Sequence, residues 1–60
     1  MYTIKNKYCD QLLKLSGEDF PKRKTIEKYK NGSQKAQENS VRALASFLGV
    51  NNWRDLVKNY

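Results

Sequence analysis

Lys24-Thr25-Ile26-Glu27-Lys28-Tyr29-Lys30-Asn31-Gly32, followed downstream by Ala43-Leu44-Ala45-Ser46-Phe47-Leu48-Gly49-Val50, decides how this chain folds. Ile26 and Tyr29 are three positions apart and share one helical face, and Asn31-Gly32 is a stop, because glycine takes the left-handed conformation that ends a helix at no steric cost. The second stretch belongs to an apolar stripe, Val41, Leu44, Ala45 and Leu48, at the i, i+3, i+4, i+7 spacing of a helix face, with Phe47 alongside. Gly49 ends that helix, and Val50 beyond it is placed to fold back on the last turn.

The flanks continue the helical pattern. Upstream, Ile4, Tyr8, Leu12 and Leu15 fall at helical spacing, widened by Cys9 and Leu13. They predict a first helix from Thr3 or Asn6 to Ser16, capped by one of those two side chains and closed by a left-handed Gly17. Glu18-Asp19-Phe20 reads as a turn, and Pro21 as the first turn of a second helix over 21–30, where its missing N–H goes unnoticed. Residues 33–39 are polar, with Ser33, Asn39 or Ser40 as candidate caps for the third helix. Asn51 or Asn52 caps a last helix in which Trp53, Leu56, Val57 and Tyr60 share a face and Asp55 suits the positive helix end. The expected fold is therefore a single domain over 1–60: a small all-α bundle of three to four short helices, helix-turn-helix-like.

Composition narrows the function classes. Sixty residues support one small core and no large cleft. Twelve Lys and Arg against six Asp and Glu leave a net charge of +6, which favours polyanionic partners, nucleic acid before anionic membrane. With one cysteine and no histidine, neither an internal disulfide nor a Cys/His metal site can be assembled, and no cofactor motif is present. Cys9 reads as a small buried apolar residue. The acids are scattered and no Gly-rich phosphate loop occurs, so an enzyme is not expected. No apolar run approaches a membrane span and the first residues lack a signal-peptide core, which predicts a cytoplasmic protein.

The chemistry concentrates in the cations. Lys22, Arg23 and Lys24 crowd the predicted start of the second helix, where positive charge opposes the helix dipole by roughly 0.3–1 kcal/mol each. An anion reverses that penalty, since open amides and cations would point at it together. Arg23 offers a forked contact to phosphate or a guanine edge, while the lysines act as point charges. Thr25, Lys28 and Lys35 extend the basic segment. Glu27 repels phosphate but accepts from cytosine or pairs along the helix. Trp53, Val57 and Tyr60 form a candidate partner interface, suited to self-association if they stay exposed.

The elements Thr25-Ile26-x-x-Tyr29-x-Asn31-Gly32 and Val41-x-x-Leu44-Ala45-x-x-Leu48-Gly49-Val50 resemble the second half of lambda-repressor-like (XRE-type) helix-turn-helix domains, over roughly residues 22–57. The resemblance implies that Lys22, Arg23, Lys24, Thr25 and Lys28 face the DNA major groove or its flanking phosphates, with Ile26, Tyr29, Leu44, Ala45 and Leu48 in the core. Leu12-Leu13-x-Leu15-x-Gly17 stands for the scaffold helix, and the span from Gly17 to Thr25 is longer than the family's tight turn. The leading expectation is a DNA-binding protein of transcriptional-regulator type, dimeric, acting on duplex DNA. The alternative is a compact helical adaptor that docks on a protein partner or on itself.

Overall fold

The structure is a computed structural model and describes residues 1–58. Three helices follow one another, α1 (Asn6–Leu15), α2 (Arg23–Asn31) and α3 (Glu38–Leu48), and a single 3₁₀ turn, Trp53–Leu56, comes last. The chain is thus a small all-α bundle, and among the described residues no helix is long and apolar enough to cross a membrane. Its core collects Ile4, Cys9 and Leu12 from the first third, Ile26 and Tyr29 from α2, Val41, Leu44 and Ala45 from α3, and Leu56 and Val57 from the end.

The two glycine stops behave as the sequence predicts. Gly32 closes α2 with φ of 83° and Gly49 closes α3 with φ of 76°. Past Gly49, the Val50 amide donates to the Ala45 carbonyl at 2.8 Å, and Val50 packs against the core. That bond satisfies one of the carbonyls a helix end leaves orphaned.

The first helix takes the later of its two expected starts but neither expected cap. Helix α1 begins at Asn6, with Lys5 at the cap position and no side-chain capping bond, so neither Thr3 nor Asn6 serves as the cap. Residues 1–5 are extended instead. Tyr2 and Ala36 exchange both amide–carbonyl bonds at 2.8 Å; the Lys5 amide donates to Leu56 at 2.7 Å, and the Lys58 amide to Thr3 at 2.9 Å. The physical reason is pairing on two sides: through isolated bridges, this extended segment satisfies backbone groups of both the pre-α3 loop and the C-terminal segment. Period-two alternation also turns Tyr2 and Ile4 inward together, and Ile4 is 1% exposed. Ala36, read as part of a polar stretch, is fully buried by this arrangement.

Further differences have local causes. Ser16, not Gly17, is the C-cap of α1; it is extended, and its hydroxyl donates to the Leu13 carbonyl at 3.1 Å. Gly17 has no positive φ and bridges Lys22 across a closed loop. Pro21 lies ahead of α2 rather than in its first turn, buried and preceded by a cis peptide bond. Leu15, expected inside, is 59% exposed at the last position of α1. Gln37 holds the cap position of α3 without a side-chain bond, so Asn39 and Ser40 lie inside the helix and Ser33 outside it. The final segment makes one 3₁₀ turn, whose cap is Asn52, its side chain accepting from the Arg54 amide at 3.1 Å. Val57 then leaves the turn to bridge Ile4, so the expected shared face with Trp53 and Leu56 does not form.

Candidate nucleic-acid interface

The start of α2 is built by the loop before it. The Gly17 amide donates to the Pro21 carbonyl at 3.2 Å, and the Arg23 amide returns to the Gly17 carbonyl at 3.1 Å. This closure fixes Lys22 at the cap position, Arg23 at the first helical position and Lys24 at the second. The Ile26 amide makes the first helix-type bond, to Lys22 at 3.1 Å, and the amides of Lys24 and Thr25 have no acceptor among the described residues. No acid lies in the first turn and no side chain caps it. The helix therefore presents three exposed cations and two open amides at its positive end.

Lys22, Arg23 and Lys24 come together around one shallow depression with Gly17 and Glu18. Glu18 brings the one carboxylate to that rim. Thr25 is half-buried and turns toward a neighbouring groove, which it lines with Phe20, Pro21, Ile26, Tyr29, Ser40 and Leu44. Lys28 is exposed in the last turn of α2. Lys35 is exposed but separate: it borders a depression with Met1, Tyr29 and Gln34 and does not join the cluster. Lys30 is engaged elsewhere, donating to Asp10 of α1 at 2.5 Å; that hydrogen bond and the carboxylate's charge raise its amine above the ordinary lysine value.

The expected partner patch is rearranged. Val57 is 4% exposed and belongs to the core, so it cannot contribute to a surface patch. Trp53 is half-buried, edge-to-face with Tyr2 at 5.3 Å, and the guanidinium groups of Arg42 and Arg54 lie 5.6 and 5.3 Å from its ring centroid. Tyr60 lies outside the described residues. Cys9 is fully buried as expected, and burial, with help from the neighbouring Asp10 charge, pushes its thiol up.

Sequence reasoning missed a pair of aromatic rings. Phe20, in the loop, and Phe47, on α3, meet edge-to-face at 6.0 Å between centroids, yet are 59% and 43% exposed. One signal was available: Phe47 lies off the Val41–Leu44–Ala45–Leu48 stripe and so had to face outward. Nothing local pointed to its meeting Phe20, because that contact depends on the path of the loop. Comparisons with protein families, with curated proteins and with solved structures find no match to this chain.

Proposed function

We propose that this chain is a small cytoplasmic DNA-binding protein of transcriptional-regulator type, which lays the amino-terminal half of α2 against duplex DNA without doing chemistry on it. One observation carries the reading: three consecutive exposed cations occupy the cap and first two positions of α2, beside two amides with no acceptor. For an isolated fold this arrangement is unfavourable, and for a phosphate-bearing ligand it is favourable. The net charge of +6 adds the long-range attraction that polyanions select.

Dimensions agree. An α-helix with its side chains is about 10–12 Å across, comparable to the roughly 12 Å width of the major groove that α2 would enter. Arg23 supplies the forked contact, Lys22 and Lys24 neutralise phosphate, and Lys28 follows on the same helix. The likeness of residues 22–57 to lambda-repressor-like helix-turn-helix domains supports the same orientation of α2.

Titration of a fluorescent random-sequence duplex at 50 and 200 mM salt tests this. With about four phosphates neutralised, log K falls against log salt with a slope of roughly −3.6. Arg23→Ala and Lys24→Ala each weaken binding and flatten the slope by about one unit while the circular dichroism spectrum is kept. Lys35→Ala, remote from the cluster, changes binding less than either. Undetectable binding at 50 mM salt defeats the reading.

A further inference from the structure

Helix α2 turns Ile26 and Tyr29 into the core and leaves two unlike rows on its open side. Lys24 and Lys28, four positions apart, form one; Arg23, Glu27 and Asn31, at the same spacing, form the other, and all five are exposed. The lysine row carries point charges alone, which suits a phosphate backbone. The second row holds a forked donor, a carboxylate and an amide. Its amide is already engaged, since the Asn31 side-chain oxygen accepts from the Ser33 amide at 2.9 Å.

Glu27 is the anomaly on this face. Arg23 lies four positions before it, Lys24 three before and Lys30 three after, each at the spacing of a helical ion pair. It pairs with none of them: no cation among the described residues stands within ion-pair distance of its carboxylate, and Lys30 is turned away to Asp10 of α1. The along-helix pairing that the sequence allows is therefore not made. An unpaired carboxylate in the middle of a basic face weakens attraction to a polyanion unless it meets a donor. In the major groove the donors are the amino groups of cytosine and adenine. Adenine sets an acceptor beside its amino group, and guanine and thymine present acceptors, which repel a carboxylate; the cytosine edge presents the donor alone.

We propose that Glu27 is a specificity residue that accepts from the exocyclic amino group of a cytosine in the major groove, so that the duplexes this chain prefers carry a C·G pair where the middle of α2 meets the groove. The inference rests on the DNA reading above. It adds a residue that tells one base pair from another, because phosphate contacts position a helix without reporting sequence. The same carboxylate then has opposite effects on two kinds of duplex. Without cytosine at that place it faces acceptors and phosphate and lowers affinity; with cytosine there it gains a charge-assisted hydrogen bond.

Selection from a duplex library with a randomised centre, using the natural chain and the Glu27→Ala and Glu27→Gln variants, tests this. The natural chain should enrich cytosine at one position. Glu27→Ala should lose that preference, and Glu27→Gln should move it toward adenine, whose N6 and N7 suit an amide. In titrations, Glu27→Ala should bind the selected duplex about fivefold or more weakly, the lower end of the effect of one mismatched pair. It should bind a duplex with that one pair replaced at least as tightly as the natural chain does. Glu27 is exposed and glutamine keeps its shape, so both variants should retain the circular dichroism spectrum. Duplex binding with no base enriched, a cytosine preference untouched by Glu27→Ala, or an alanine variant that tightens on every duplex overturns the inference and leaves the DNA reading standing. Absence of duplex binding at low salt overturns both.

Discussion

The two ends of α2 carry the same kind of charge with opposite consequences. At the carboxyl end Lys28 and Lys30 lie in the last turn, where cations complement the helix dipole, and Lys30 is tied to Asp10 of α1. Gly32 closes that end in the left-handed conformation. At the amino end Lys22, Arg23 and Lys24 oppose the dipole, no side chain caps the helix and two amides stay open. Between them, Ile26 and Tyr29 anchor the helix in the core. Folding alone accounts for one end. The other is arranged against folding, and it is there that the proposed anionic ligand would supply what the fold lacks.

The contrast breaks most sharply under exchange at the two termini. Gly32→Ala should destabilise by about 1–2 kcal/mol, the cost of a left-handed conformation for a residue with a Cβ. No heavy atom stands within 4 Å of the added methyl, so the loss is conformational rather than steric. In a chain of this size the melting temperature should drop by several degrees.

Lys22→Asp tests the other end and should act in the opposite direction. An aspartate at the cap position accepts from one of the open amides and faces the positive dipole, a gain of about 1 kcal/mol. The variant should melt higher than the natural sequence and bind duplex DNA at least tenfold more weakly. A Lys22→Asp protein that melts lower would show that the amino end is already optimised for folding, and the contrast would collapse.

Much of this was legible beforehand. Both glycine stops, the Val41–Leu48 stripe, the burial of Ile26, Tyr29 and Cys9, and the Asn52 cap follow from local spacing and local chemistry. The cation cluster was equally plain, because its residues are consecutive. What was hidden depends on contacts distant in sequence. Ile4 reads as helical through the Ile4–Tyr8–Leu12 spacing, whereas its segment pairs with Ala36 on one side and with Leu56 and Lys58 on the other and is extended. The same pairing takes Val57 out of the imagined partner patch. Leu15, which the helical stripe placed inward, is exposed at the end of α1, and Phe20, read only as part of a turn, is exposed in the closed loop that follows. The Phe20–Phe47 contact arises from that same loop path.

The smallest expected effect concerns the tether between α1 and the carboxyl end of α2. Lys30 and Asp10 are both substantially exposed, so water screens the pair and its contribution to stability is minor. Its sign against pH is nevertheless fixed. The Lys30 amine is raised above its ordinary value by the hydrogen bond from Lys30 to Asp10, so the folded state holds the proton more tightly than the unfolded chain. That stabilisation is fully present below the ordinary value of 10.5 and is lost as pH climbs through the higher folded value. Lys30→Met should therefore melt slightly lower than the natural protein from pH 7 to about 10, by an amount that shrinks in high salt, and the two curves should converge above that. A gap that persists unchanged at alkaline pH would assign the effect to the lysine stem packing on α1 instead of to its charge, and would leave the carboxyl end of α2 held by Gly32, Ile26 and Tyr29 alone.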